Sequence, residues 1–210
     1  MSPQVRRTFL ITLAWLFVAA AISPLGGCAF GNRHVDLIYT PLAKPAATGT
    51  GTVVVVAFAD ARTEKELVGD VRNGFGSKTA KVLLTKGQDV SNWVTEAVVA
   101  ELGAAGLVVE RKEPSAVLDT DIVVSGALTE LYTTLYMTYD PNVRVSVTMK
   151  RGGQVVLDKT YQGKHVEPAV FGAAQEYERA YTGTLRDILK QAVPDIVNGV
   201  TSLNTAPASP

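Results

Sequence analysis

The sequence predicts an α+β domain in which a mostly antiparallel sheet of about four to six strands carries two main helices on one face. Three observations predict it. Thr52–Asp60 (TVVVVAFAD) is an unbroken apolar run rich in β-branched residues, the composition of a strand covered on both faces or lying under a helix. Asn142–Lys150 (NVRVSVTMK) alternates strictly, with Val143, Val145, Val147 and Met149 on one side and Arg144, Ser146, Thr148 and Lys150 on the other. That is a strand of a sheet with one wet face. Residues 89–105 and 174–203 instead repeat apolar positions every three or four residues, so each is a helix burying one stripe. Two such stripes need a shared apolar face, which the sheet supplies.

The elements follow in order. Val35–Tyr39 reads as a short strand, and PLAKPAATGTGT after it as a flexible connection without periodicity. The strand Thr52–Asp60 ends in DARTEKELVG, a polar loop, and a short strand is expected around Ala80–Thr85. Asp89 or Ser91 is the N-cap of the first helix, and the glycines of LGAAGL close it before the strand Leu107–Lys112. Thr120–Tyr136 is a long β-branched and aromatic strand with Gly126 as a bulge or bend. Asn142–Lys150 and Val155–Gly163 form a hairpin around RGGQ. In the last helix Leu185, Ile188, Leu189, Ala192, Val193, Ile196, Val197 and Val200 share a face, Pro194 should kink or split it, and NTAPASP is a disordered tail.

The N-terminus states an address. Met1–Arg7 is polar with two cations, Thr8–Ile22 is apolar, and small residues lead to Gly27, the layout of an export signal. The apolar run has 15 residues, short of the ~20 that a permanent span requires. Leu25-Gly26-Gly27-Cys28 resembles a bacterial lipobox, which implies cleavage after Gly27 and a diacylglycerol on Cys28. Cys28 is the only cysteine, so no disulfide competes for it. The expected organisation is a signal peptide at 1–27, a lipidated N-terminus and tether at 28–51, one domain at 52–203 and a tail at 204–210. Ala29 after the cysteine, where an aspartate retains lipoproteins in the inner membrane, implies the inner face of the outer membrane. Arg6-Arg7-Thr8-Phe9-Leu10 also resembles the core of a twin-arginine motif, a matter of route and not of destination.

Charge adds exclusions. Lys+Arg and Asp+Glu both number 20 in the whole chain, and losing Arg6 and Arg7 with the signal leaves a net charge of −2. Neither nucleic acid nor a polyanionic membrane surface is the expected partner.

Catalytic constellations are not expected. Gly74–Thr79 (GFGSKT) fails the phosphate-loop pattern because Ser77 separates Gly76 from Lys78. The two histidines, His34 and His165, have too few companions for a metal site. Asp60 and Arg62 are expected to pair locally, and Asp119 and Asp121 to cap a turn. Tyr132, Tyr136 and Tyr139 in LYTTLYMTYDP, joined by Met137, either cover one edge of the core or form an exposed aromatic surface for a partner.

The mature chain resembles the YajG-like family of bacterial lipoproteins in its lipobox, in YTP, VAFADART, VSNWVTEAVVAELGAAG and DIVVSGALTELY, and in the VEPAV to LRDIL region. The resemblance runs from Tyr39 to about residue 200 and implies fold and location, with no activity. A weaker resemblance is to auxiliary lipoproteins of transport systems. The expectation is a lipid-anchored periplasmic module, without enzymatic activity or cofactor, that binds an envelope protein or cell-wall component. The alternative is an accessory lipoprotein of a lipid or solute transporter with an apolar groove under its last helix.

Overall fold

The computed structural model describes residues 31–205. In chain order the elements are β1 (Arg33–Val35), β2 (Thr52–Val55), β3 (Ala59–Asp60), β4 (Leu67–Arg72), β5 (Lys78–Leu84), α1 (Val90–Ala104), β6 (Val108–Arg111), a 3-10 turn (Pro114–Ala116), β7 (Ile122–Tyr136), β8 (Thr138–Arg151), β9 (Gln154–Gly163), β10 (Glu167–Pro168) and α2 (Ala174–Thr205). Gly27 and Cys28 lie outside the described residues, as do 206–210 of the expected tail, whose first two residues, Asn204 and Thr205, instead end α2.

The fold class is α+β, but the sheet is larger and more mixed than predicted: ten strands share it, with β7 as the spine. On one edge of β7, β8 pairs antiparallel from Ile122–Arg151 to Tyr136–Thr138, and β9 continues the meander. On the other edge three short strands succeed one another, all parallel to β7: β2 at Val123–Val124, β3 at Ala127–Leu128 and β4 at Thr133–Leu135. β6 extends the sheet beyond β2, while β5 and then β1 extend it beyond β4. The physical reason is the length of β7. A 15-residue strand presents more backbone donors and acceptors than one short neighbour can satisfy, so several share its edge.

β4 falls in the stretch expected as a loop, and β1 begins two residues earlier than expected. Gly126 is not the bulge; the register shifts between Leu128 and Glu130. Glycine is required at 126 because the Phe58 ring and the Ser146 carbonyl occupy the space where a Cβ would stand.

Both helices lie on the face lined by Val143, Val145, Val147 and Met149, all buried, as the alternation predicts. The Asp89 side chain caps α1, accepting the Asn92 N–H at 3.1 Å. Past its end Gly106 adopts φ +93°, and the Leu107 N–H closes on the Leu102 carbonyl at 3.2 Å. α2 continues through Pro194, and its stripe from Leu185 to Val200 is buried throughout. The helix comes down directly on β9 at Gly163, where a Cβ would strike the Thr184 carbonyl.

The segment expected to be a flexible tether is not free from Arg33 onward. Val35 and Leu37 are buried, and the Tyr39 hydroxyl and the Leu42 N–H both donate to Glu101 Oε1 at 2.7 Å. Arg186 donates to the Thr40 and Pro41 carbonyls at 2.6 and 3.1 Å, and the Gly49 N–H to the Ala105 carbonyl at 2.8 Å. Prolines and small residues gave this stretch the composition of a linker, but its few apolar side chains find the α1–α2 surface.

Candidate functional site

The three tyrosines do not form one surface. Tyr139, fully buried on β8, donates its hydroxyl to Glu176 Oε2 at 2.7 Å and packs edge-on against Tyr177 with ring centroids 4.5 Å apart. Tyr132 is half-buried and donates to Asp70 Oδ2 at 3.0 Å. Tyr136 is exposed and donates to the Gly74 carbonyl at 3.2 Å. The turn at Met137 reverses the chain, so Tyr139 faces the helices while Tyr132 and Tyr136 keep to the outer face of β7.

An exposed apolar surface does exist at that turn, built mostly from other residues. Phe75 in the β4–β5 hairpin, Met137 in the β7–β8 turn and Phe171 between β10 and α2 are 96%, 80% and 86% exposed, joined by Val170 and Tyr136. Strand pairing and the bonds between the loops bring these five exposed side chains to one end of the sheet, a concentration of exposed apolar groups that calls for a cover. Sequence reading located only Tyr136 and Met137, because an exposed Phe looks like a core Phe until the fold is known.

Each loop of this tip is pinned. Asn73 Oδ1 accepts the Phe75 and Ser77 N–H groups at 3.0 Å, and Gly76 turns the chain at φ +79°. Met137 holds φ +66°, the only non-glycine residue with positive φ among those described, a conformation that stores strain. Glu176 Oε1 accepts the Phe171 N–H and Oε2 the Gly172 N–H, both at 3.0 Å. Tyr136 ties the first loop to the second through Gly74, and the Ala169 N–H ties the third to the second through the Met137 carbonyl at 3.1 Å.

Buried carboxylates stand directly beneath. Burial alone would push the Glu176 carboxyl up, but the Tyr139 hydroxyl and the backbone N–H groups of Phe171, Gly172 and Val170 outweigh it and hold the group below its ordinary range. Asp70 behaves alike: burial is outweighed by Tyr132, Thr134 and Arg72, and Lys78 stands 3.6 Å away. Burial and the neighbouring Asp70 push the Tyr132 hydroxyl up to about 12, so it remains a donor.

Asp60 and Arg62 form a two-pronged pair, Nε to Oδ1 and Nη2 to Oδ2 at 2.9 Å, and Arg62 also reaches the Lys65 carbonyl at 2.8 Å. The pair closes the β3–β4 loop, and Arg62 also lines an open surface cavity of about 290 Å³ with Glu64, Glu130 and Tyr132. Asp121 Oδ2 accepts the Leu118 N–H at 2.9 Å and pairs with Lys112 at 3.0 Å, while Asp119 lies in the same exposed turn. Gly74–Thr79 is the β4–β5 hairpin, not a helix entrance.

A second feature is polar. A surface groove of about 340 Å³ lies between Ile38–Thr40 and the outer face of α2, with His165, Glu167 and Arg179 on its wall. His165 Nε2 stands 3.3 Å from Glu167, which Arg179 holds at 3.1 Å. His34 is exposed on β1 and is not among the residues that line this groove. Among the described residues no three His, Cys, Asp or Glu side chains converge on a common point, and no helix is long and apolar enough to cross a membrane. The apolar groove expected beneath α2 is absent there, because the stripe that would line it is packed against the sheet.

No family model and no curated protein matches the sequence. Solved structures do resemble the fold. Protein XCC0632 from Xanthomonas campestris, described by the DUF330 family model, aligns over 83% of this chain and 99% of its own at 12% identity and a TM-score of 0.55. That likeness shows the fold alone, an α+β domain, and does not reach the YajG-like family. PelC from Paraburkholderia phytofirmans aligns over 75% of this chain and 94% of its own at 14% identity and a TM-score of 0.43. A neuraminyllactose-binding hemagglutinin homolog from Helicobacter pylori aligns over 79% and 96% at 6% identity and a TM-score of 0.43. At those scores neither bears on function here.

Proposed function

We propose that the protein is a lipid-anchored, non-enzymatic binding module of the bacterial cell envelope. It is held by an acylated Cys28 after cleavage at Gly27, on the periplasmic face of the outer membrane. The observation that supports binding is the tip, where the β7–β8 turn is bonded to the loops on either side and Phe75, Met137 and Phe171 are held out of the core. An ordered exposed apolar surface gains free energy only when something covers it. Catalysis has less to draw on: the His165–Glu167–Arg179 cluster contains no nucleophile, and its carboxylate is already committed to Arg179. The transport alternative has less support, because the α2 stripe that would line its groove is buried.

The experiment places a photo-crosslinking residue at Phe75 or Phe171 of the full chain in living cells, with Ser202 on the far end of α2 as the control. Adducts with an envelope component at the two tip positions and not at the control are expected. Equal, background labelling at all three positions contradicts the reading.

A further inference from the structure

We infer that the apolar tip faces and enters the same bilayer that receives the Cys28 lipid, an inference that rests on the anchored reading above. The path of the chain supports it. β1 enters the sheet parallel to β5, so the residues before Arg33 approach from the end where β5 begins, next to the hairpin that carries Phe75. Asn32 is fixed on that approach: its Oδ1 accepts the Lys81 N–H at 3.1 Å. Lys81 pairs with Asp70 and Asp70 with Thr134, two residues before Tyr136.

Reach then decides orientation. Four residues carry the chain from Asn32 back to Cys28, and fully extended they span at most ~14 Å. The opposite end of β7 lies at Ile122, twelve residues from Thr134, roughly 40 Å along the strand. A lipid on Cys28 therefore holds the Met137 end of the sheet at the membrane and cannot bring the β8–β9 turn at Gly152–Gly153 there instead.

The chemistry of the tip fits that occupant. Phe75, Phe171, Met137 and Val170 are apolar and uncharged, suited to the acyl boundary, while Tyr136 has an amphipathic ring of the kind enriched at headgroup level. The mature chain's net charge of −2 supplies no general attraction to anionic lipid, so apolar contact sets the orientation. The anchor also makes docking intramolecular, and a high effective concentration lets a small patch suffice. A protein on the same surface is the competing occupant, but it would have to displace lipid that the anchor keeps within reach.

In the acylated full chain the Cys28 thiol is consumed, so Phe75→Cys, Phe171→Cys and Val155→Cys each offer one site for an environment-sensitive fluorophore. All three side chains are exposed, so labelling leaves the core intact. The labelled proteins are reconstituted into vesicles of equal parts phosphatidylethanolamine and phosphatidylglycerol, with and without bromine on the acyl chains. A blue shift and bromine quenching at positions 75 and 171, with neither at 155, are expected. Labels at 75 and 171 that behave like 155 while the protein floats with the vesicles overturn the inference and leave the anchor standing, and crosslinking of those positions to a protein in cells would then name the occupant. A chain that carries the acyl mass but fails to float with the vesicles overturns both, and a chain without that mass overturns the anchored reading at its source.

Discussion

The Tyr139 hydroxyl donates to Glu176 Oε2 at 2.7 Å, and Glu176 in turn accepts the Phe171 and Gly172 N–H groups at 3.0 Å. A buried side-chain pair thus fixes the loop that displays Phe171. Tyr139→Phe removes one donor from a buried carboxylate and should cost about 1.5–3 kcal/mol, the range for hydrogen bonds to charged groups. Urea unfolding checks it, and a loss indistinguishable from zero would show that the carboxylate is satisfied without the tyrosine.

The same carboxylate gives the fold an acid-sensitive element. Burial opposes ionisation but the hydrogen bonds prevail, so the folded value lies below the ordinary 4.5. The sign follows: a depressed folded value means a contribution that is whole above about pH 4.5 and is lost as pH falls through the folded value. Asp60 and Asp70, also depressed, from 3.8, add to the loss in the same direction and at lower pH. The thermal midpoint of the wild type should fall more steeply on acidification than that of Glu176→Gln; parallel profiles would contradict the assignment.

Met137 holds φ +66° at the tip. Left-handed backbone costs a non-glycine residue about 1–2 kcal/mol, so Met137→Gly should raise stability by up to about 1 kcal/mol after the entropy of glycine is set against it. The same change deletes an exposed apolar side chain and should weaken docking of the tip. Stability from denaturant unfolding and bromine quenching of a label at position 75 should therefore move in opposite directions. A variant that is less stable would show that the turn is not strained.

Glu101 pins the segment before β2. Glu101→Ala leaves the Tyr39 hydroxyl and the Leu42 N–H without their acceptor and should release residues 37–43 from α1. Hydrogen exchange should accelerate in that segment and stay unchanged in β8. Uniform acceleration across the chain would instead mean that Glu101 supports the whole fold.

Long periodic segments were legible in the sequence. The alternation of Val143 to Met149 and the stripe from Leu185 to Val200 are dictated by burial against one neighbour, and both lie where predicted. β4 was not legible, because Leu67–Arg72 mixes Gly69, Asp70 and Arg72 into its run. Gly69 is there because the Thr133 carbonyl approaches too closely for a Cβ, and Asp70 because Tyr132, Arg72 and Lys78 surround it, all partners distant in sequence or chosen by the fold. The parallel pairing of β2, β3 and β4 with β7 was hidden for the same reason: no local pattern records which edge a short strand joins. At the tip, Tyr136 and Met137 were singled out from a local aromatic run, whereas Phe75 and Phe171 are brought to the same end of the sheet only through the sheet register and the Glu176 bonds.

Both the envelope location and the facing of the tip depend on attachment through Cys28, which the mass of the mature N-terminal peptide from the membrane fraction reads out. A peptide beginning at Cys28 and carrying a diacylglyceryl group is the predicted result, with Cys28→Ala leaving the membrane fraction while remaining folded. An unmodified Cys28, or a Cys28→Ala variant retained in the membrane fraction, would rule out acylated attachment.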